Sequence, residues 1–249
     1  MTGMLASVTS IDETRLVLNE GVDIIDLKNP HDGALGALDN TIVSEIVASI
    51  NDKVLTSATV GDIKSDSEFL YDKIVAMSNT GVHFVKVGLF DKYPTKHFIS
   101  VINNAAKKNI DLIIVLFAEN ISDLSSLEVL MDSNIKGVML DTKDKSDKNL
   151  CTLLDYHVLD NFVQMAKSSG LLTGLAGSIG HKDIKHLLKI KPDYLGFRGA
   201  LCSGHDRVKS IDPAQIKKIR NAIPIPNQNN INYDNKEYQK EEFSNGAVA

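Results

Sequence analysis

The sequence has little that would indicate a disulfide, a zinc site or a membrane segment. Its 249 residues include no tryptophan and only two cysteines, Cys151 and Cys202, which are far apart and lack metal-ligand spacing. We interpret them as two free thiols in a reducing compartment. No apolar run approaches the roughly 18 residues that a membrane-spanning helix needs. The sequence therefore favours a globular protein with no metal site and no membrane partner.

An excess of positive charge is also missing. Lysine and arginine number 27 against 32 aspartates and glutamates, which gives a net charge of −5. This balance argues against nucleic acid or an anionic membrane surface as the main partner. Residues 1–4 lack the basic and apolar regions of a signal peptide, so we expect a cytoplasmic location.

Short apolar runs rich in β-branched residues recur along the chain, and helix-like segments follow them. The runs cover residues 4–8, 23–28, 54–59, 83–89, 111–117, 137–142, 172–178 and 194–199. Eight strands alternating with helices are the pattern of an α/β protein of the (β/α)8 TIM-barrel type. A doubly wound open sheet is the rival fold, but the glycine fingerprint after its first strand is missing. We predict one catalytic barrel domain over residues 1–223 and a polar, disordered tail over residues 224–249.

The second run ends in charged residues. Asp26 and Lys28 share one strand face with Ile24, because side chains alternate with a period of two. Lysine and aspartate are rarely buried unless they are paired or functional. Asn29-Pro30 then ends the strand, since proline cannot continue a central ladder. Taken alone, the two charges are equally consistent with a salt bridge and with a catalytic pair.

Active sites of such barrels lie at the carboxyl ends of the strands. The polar residues in or just after the later runs are Lys86, Asp141, Lys145, Ser178 and Arg198. An amine must be neutral to attack a carbonyl, and burial beside a second amine disfavours its charged form. Lys28 and Lys86 provide that arrangement, and Asp26 and Asp141 can move protons or balance charge. An ion-paired structural role is the alternative for each lysine.

The last two runs end in small residues. Residues 174–180 read GLAGSIG before a helix, and residues 196–200 read GFRGA. Backbone N–H groups at such a helix start can approach an anion, and Arg198 adds a guanidinium. We therefore predict a phosphate site, with plain tight turns as the alternative; its residues are Gly177, Ser178, Arg198 and Gly199. Residues 205–207, HDR, add charge in the loop that follows.

Residues 25–37, IDLKNPHDGALGA, resemble the D-x-K-N-P-x-x-G-x-L-G-A block of the (5-formylfuran-3-yl)methyl phosphate synthases. The resemblance continues in residues 57–62 (SATVGD), 84–89 (FVKVGL), 139–142 (MLDT), 175–178 (LAGS) and 198–202 (RGALC). These blocks lie within residues 4 to about 220, and their joint occurrence is specific. The tail lies outside the resemblance.

This resemblance implies a TIM-barrel lyase of methanofuran biosynthesis, a carbon–oxygen lyase acting on phosphates. Such enzymes condense two molecules of glyceraldehyde 3-phosphate, with loss of phosphate and water, to 4-(hydroxymethyl)-2-furancarboxaldehyde phosphate. The family's Schiff-base lysine falls on Lys28, beside Asp26, and its second strand lysine falls on Lys86. Its later carboxylate falls on Asp141, and its third lysine falls on Lys145.

Some alternatives stay open at this point. Lys143 is close enough to Lys145 to compete for the role of third lysine, and residues 204–207 read GHDR where the family commonly has GGDR. A class I aldolase or a sugar-phosphate isomerase is the rival enzyme on the same barrel. A barrel that only binds a phosphorylated metabolite is the non-enzyme rival. We expect a small-molecule substrate, no metal or organic cofactor, and a homo-oligomer.

Overall fold

The computed structural model describes residues 1–144 and 148–224. Within these residues eight parallel strands close into a barrel in chain order, and the eighth pairs with the first. The strands are β1 (Gly3–Val8), β2 (Ile24–Leu27), β3 (Leu55–Thr59), β4 (Phe84–Leu89), β5 (Leu112–Phe117), β6 (Gly137–Asp141), β7 (Leu172–Leu175) and β8 (Tyr194–Phe197). The prediction of a (β/α)8 TIM barrel is confirmed.

Helices lie in the connections between the strands. They are α1 (Ile11–Asn19), α2 (Asn40–Ile50), α3 (Leu70–Ser78), α4 (Lys96–Ala106), α5 (Ser125–Met131), α6 (Leu150–Leu153), α7 (Tyr156–Ser168), α8 (His181–Ile190) and α9 (Pro213–Ala222). The short α6 was not indicated by the hydrophobic pattern. Across the described ranges, no helix combines the length and apolarity that crossing a membrane requires. Lys145 and residues 225–249 of the predicted tail lie outside the described residues.

The strands bury side chains on both faces. Outward-facing residues such as Ile25 and Val85 belong to one large core shared with the helices. Inward-facing residues such as Leu5, Val115 and Met139 form a second cluster inside the barrel. Because the barrel interior is already filled by these side chains, the polar residues at its carboxyl end lie on an apolar floor.

Candidate active site

A layer of polar residues crosses the barrel interior near the carboxyl ends of the first strands. Strand register pairs Asp26 with Ser7 of β1 and with Ser57 of β3. Paired residues on neighbouring strands face the same side of the sheet, so the two serines flank the carboxylate. Ser7 Oγ donates to Asp26 Oδ2 at 2.8 Å, and Ser57 Oγ donates to Oδ1 at 2.7 Å. The carboxylate is fully buried, yet both of its oxygens accept hydrogen bonds.

Lys86 reaches the same carboxylate from β4. Its Nζ lies 3.1 Å from Asp26 Oδ1, and Lys86 is only 1% exposed. Burial acts to raise the pKa of the Asp26 carboxyl, but Lys86, Lys28 and the two serine hydroxyls outweigh it and hold that pKa below its ordinary value. Asp26 is therefore ionised at neutral pH and fixes the Lys86 amine inside the barrel.

Lys28 follows β2 directly and faces a second carboxylate. Its Nζ lies 4.0 Å from Asp141 Oδ2, and the two residues are 7% and 2% exposed. Asp141 Oδ1 also accepts the backbone N–H of Thr142 at 2.7 Å. The structure thus brings four predicted residues together as two amine–carboxylate pairs, Lys86 with Asp26 and Lys28 with Asp141.

The start of the loop after β6 is held by a carboxylate from the connection between β5 and β6. The Glu119 carboxylate accepts the backbone N–H of Lys143, at 2.8 and 2.9 Å to its two oxygens, and that of Asp144 at 2.9 Å. The exposed Lys143 Nζ lies 5.8 Å from the centre of the Phe90 ring. Lys145 falls outside the described residues, so the choice of Lys145 over Lys143 stays a prediction.

A cavity of about 660 Å³ opens at the carboxyl end of the barrel. Its lining includes Lys28, Lys86, Asp141, Gly177, Ser178 and Gly199. Gly177 has a φ of 97°, and a Cβ there would lie 2.8 Å from the backbone nitrogen of Thr142, so the chain needs glycine at this position. Among the described residues no hydrogen-bond acceptor meets the N–H groups of Gly177 and Ser178. An anion in the cavity can approach both groups, as the predicted phosphate site requires.

Arg198 lines the cavity, but its guanidinium is held by the protein. Nη1 and Nη2 donate to the Glu13 carboxylate at 2.6 and 3.2 Å. The other three donors meet backbone carbonyls: Nε reaches Arg207 at 2.9 Å, Nη1 reaches Ser7 at 3.2 Å and Nη2 reaches Lys209 at 3.0 Å. All five N–H donors of an arginine are then engaged. The predicted phosphate contact of Arg198 stays a prediction, and a phosphate there would have to compete with Glu13.

The loop after β2 is held by a carboxylate in the loop that follows β3. Asp62 Oδ2 accepts the N–H of Ala34 at 2.9 Å, and Oδ1 accepts the N–H of Leu35 at 2.7 Å. Gly33 has a φ of 81°, and a Cβ built on it would overlap Asp62 Oδ2. Asp62 therefore fixes the shape of the loop that directly follows the Lys28 amine.

The sequence matches a family model over nearly the whole barrel. Residues 4–220 match the model described as 4-HFC-P synthase. The chain belongs to the 4-HFC-P synthase family. The resemblance seen in the sequence blocks is thereby confirmed, and a member of a synthase family is an enzyme.

Curated relatives of this family cover most of the chain. The chain is 32% identical to the (5-formylfuran-3-yl)methyl phosphate synthase of Methanothermobacter thermautotrophicus, over 82% of this chain and 91% of the relative. It is 31% identical to the synthase of that name from Methanocaldococcus jannaschii, over 87% of this chain and 97% of the relative. A Methylorubrum extorquens protein that bears the same name provisionally is 36% identical, over 88% of this chain and 91% of the relative.

Solved structures of other enzymes share the fold. Phosphoribosyl anthranilate isomerase from Thermotoga maritima superposes with a TM-score of 0.65 at 14% identity, over 88% of this chain and 97% of that chain. A 3-hexulose-6-phosphate synthase superposes with a TM-score of 0.63 at 16% identity, over 89% of this chain and 100% of that chain. At such low identity these likenesses show the TIM-barrel fold alone.

Several residues in the site of this 4-HFC-P synthase family member carry no signal in the sequence that indicates a role. Ser7, Ser57 and Glu13 belong to strands or helices that look ordinary in sequence. Ser57 and Asp62 lie in the SATVGD block, which is part of the family resemblance but does not indicate a role for either residue. In-register alignment of the second and third runs would have placed Ser57 beside Asp26. The partnership of Glu13 with Arg198 spans 185 residues and leaves no local signal.

Replacing Ser57 by alanine tests the ionised state of Asp26 in this family member. A hydrogen bond to a charged group contributes about 1.5–3 kcal/mol, so we expect Ser57→Ala to lower the free energy of unfolding by roughly that amount at pH 7. The loss of one donor moves the folded-state pKa of Asp26 up towards its ordinary value. A depressed carboxyl pKa stabilises the fold above the unfolded value of about 3.9, and this stability is lost as the pH falls through the folded value. The difference in the free energy of unfolding between the unaltered protein and Ser57→Ala should therefore stay constant down to about pH 4 and become smaller below it.

Urea unfolding from pH 3 to 7 measures this deficit for Ser57→Ala. Ser126→Ala is the matched control, because the buried Ser126 hydroxyl donates to a backbone carbonyl, that of residue Lys92. A backbone carbonyl has no proton to gain or lose over this pH range. The deficit of Ser126→Ala should not change with pH. A Ser57→Ala deficit that runs parallel to that of the control below pH 4 would show that Asp26 is not held ionised by this contact.

Replacing Gly33 by alanine tests whether the contact of the loop after β2 with Asp62 matters for catalysis. Gly21 and Gly33 both have positive φ, 69° and 81°, so alanine at either position costs roughly 1–2 kcal/mol of stability. Only Gly33 also meets Asp62, whereas a Cβ on Gly21 meets nothing within 4 Å. We expect Gly33→Ala to lower turnover by about tenfold or more through displacement of the loop, and Gly21→Ala to leave turnover unchanged. Equal turnover in the two variants, measured by initial rates, would contradict the role given to this loop.

Proposed function

We propose that this enzyme condenses two molecules of glyceraldehyde 3-phosphate into 4-(hydroxymethyl)-2-furancarboxaldehyde phosphate, as a step of methanofuran biosynthesis. The release of one phosphate and two water molecules balances the atoms. The names of the curated relatives support this proposal for the product. The observation that carries it for the chemistry is the pair of buried amines, each with its own carboxylate, in one cavity.

Lys28 is the nucleophile in this proposal. Its amine attacks the carbonyl carbon of one triose phosphate, and loss of water gives a protonated imine. The imine acts as an electron sink, so the neighbouring carbon loses a proton and the resulting enamine bonds to the carbonyl carbon of the second triose. Later eliminations remove phosphate and water, and hydrolysis of the imine returns the Lys28 amine. The position of the Lys28 Nζ, 4.0 Å from Asp141 Oδ2, supports Asp141 as the group that exchanges protons with the imine region.

Lys86 and Asp26 form the second functional pair. Asp26 is ionised and fully buried, and within residues 1–144 and 148–224 its hydrogen-bond partners are Lys86 and two serines, so a proton reaches it through them. Lys86 is therefore the member of the pair that meets the cavity and moves protons, while Asp26 holds its amine in position. The family resemblance adds Lys145 as a third amine for proton transfer. Gly177 and Ser178 hold a phosphate group through their backbone N–H groups, and Gly199 lines the same cavity.

Product analysis with one substrate tests the proposal. The purified enzyme is incubated with glyceraldehyde 3-phosphate alone, and near-ultraviolet absorbance and free phosphate are followed together. We expect a furan chromophore to accumulate with one phosphate released for each furan formed. A phosphorylated sugar formed without phosphate release would identify a Schiff-base aldolase or an isomerase and would contradict the proposed function.

A further inference from the structure

Arg207 bridges two sides of the cavity mouth. Its backbone lies against the end of β8, where its carbonyl accepts Arg198 Nε at 2.9 Å and its Cβ would lie 3.8 Å from a Cβ on Gly199. Its guanidinium lies against the loop after β2, where Nη2 donates to the carbonyls of Pro30 at 2.8 Å and Gly33 at 2.7 Å. The side chain therefore runs from the phosphate side of the cavity to the loop that carries the reacting amine.

Part of this guanidinium is available to a ligand. Both hydrogens of Nη2 go to the two carbonyls, whereas Nε and Nη1, with three N–H donors between them, meet no acceptor in residues 1–144 and 148–224. Arg207 is half-buried and lines the cavity. Arg198, the arginine that the sequence indicated, has each of its five donors engaged. Arg207 is thus the better placed of the two arginines to meet an anion.

The position of this guanidinium is fixed by the surrounding loop. Asp62 holds the N–H groups of Ala34 and Leu35, and this seats the Gly33 carbonyl that accepts from Arg207. A guanidinium held in this way loses little conformational freedom when it binds a ligand. Its planar donors match the oxygens of a phosphate group.

The proposed reaction brings two phosphate groups into one cavity. The backbone N–H groups of Gly177 and Ser178 can hold one of them but add no full positive charge. The second group needs a separate donor set, and two anions in one cavity repel each other unless a cation lies near them. The Arg207 guanidinium supplies both the donors and the charge.

We propose that Arg207 is a second phosphate-binding site, so that the cavity holds two phosphate monoesters at once, one on the backbone groups of Gly177 and Ser178 and one on the Arg207 guanidinium. The class of ligand follows from the donors and the charge. Its identity as a second triose phosphate rests on the proposed function.

Equilibrium dialysis with radiolabelled inorganic phosphate tests the site directly. We expect two phosphates bound per chain in the unaltered enzyme and one in Arg207→Gln, with Arg207→Lys intermediate in affinity. Arg15→Gln is the matched control, because Arg15 is exposed on α1 and pairs with Asp12 at 3.1 Å, away from the cavity. The same count in the unaltered enzyme and in Arg207→Gln overturns the proposal. Because dialysis needs no turnover, this result stands whether or not furan is formed.

Kinetics separate ligand binding from a structural role of the Arg207 clamp. The concentration of glyceraldehyde 3-phosphate that half-saturates furan formation should rise roughly 10- to 100-fold in Arg207→Gln. The concentration that half-saturates borohydride trapping of the first imine should change less than about threefold, because that step needs only the first phosphate site. If Arg207 only held the loop after β2 in shape, Arg207→Gln would impair imine trapping and furan formation to the same degree. That outcome overturns the proposal. An unaltered enzyme that forms no furan contradicts the proposed function instead.

Discussion

Lys28→Met is expected to lower furan formation by on the order of 10⁴-fold or more, because the variant lacks the only atom that forms the proposed imine. Methionine approximates the length of the lysine side chain, and the site is almost fully buried, so the barrel should remain folded. Initial rates of furan and phosphate release measure the loss. Circular dichroism and urea unfolding confirm that the fold is retained.

Lys73→Met is the control for this substitution. Lys73 is exposed on α3, so the same change of residue there should leave the rate unaltered. Lys86→Met should also be slow, but it should still form the first imine, because its Nζ pairs with Asp26 and not with Asp141. A Lys28→Met variant that keeps more than about a hundredth of the rate would require another nucleophile.

Asp26→Asn is expected to be the most destabilising single change in the site. It leaves the buried Lys86 amine without its carboxylate partner, and breaking a buried ion pair from one side costs about 3–5 kcal/mol. Furan formation should fall as well, since the Lys86 amine loses the carboxylate that holds it in position. Urea unfolding at pH 7 measures the first effect, and initial rates measure the second.

The exposed pair between Asp12 and Arg15 provides a matched control for burial. Its oxygen and nitrogen lie 3.1 Å apart, the same distance as in the pair of Asp26 with Lys86. Asp12→Asn should nevertheless change stability little, because solvent screens an exposed pair. The double variant Asp26→Leu/Lys86→Met should recover most of the stability and none of the activity. Equal losses in Asp26→Asn and Asp12→Asn would show that the buried pair does not carry the energy assigned to it.

The barrel could be predicted from sequence because its evidence is local. Each strand is a short run of apolar, β-branched residues, and each connection has a helical pattern. The exception is α6, a four-residue helix that is too short to produce a periodic signal. Lys145 and most of the predicted tail lie outside the described residues, so the predictions made for them stay predictions.

The members of the site could be predicted, but their pairing could not. Asp26 and Lys28 are neighbours on one strand face, about 6.6 Å apart along the strand, and this suggested a mutual salt bridge. Lys28 does act on the charge of Asp26, but the structure also gives each of them a partner across the barrel, Lys86 of β4 for Asp26 and Asp141 of β6 for Lys28. Partner choice depends on how the closed barrel brings distant strands together, and no single strand contains that information.

The partner of Arg198 also could not be predicted from the local sequence. An arginine at a strand end beside glycines indicates an anion site. In the structure, however, the Arg198 guanidinium donates hydrogen bonds to the carboxylate of Glu13, at the start of α1. Ser10 Oγ caps the same helix by accepting the N–H of Glu13, and nothing in this local contact indicates that the Glu13 carboxylate meets Arg198. Arg207, noted in sequence only as part of a charged loop, has N–H donors that meet no acceptor in the part of the chain that the structure describes, whereas all five donors of Arg198 are engaged.

Borohydride trapping tests the central claim of a Lys28 imine most directly. The enzyme is reduced with sodium borohydride in the presence of glyceraldehyde 3-phosphate, digested, and mapped by mass spectrometry. We expect one triose phosphate adduct on the peptide that contains Lys28, and no adduct there in Lys28→Met. An adduct on Lys86, or no adduct in an enzyme that still forms furan, would contradict it.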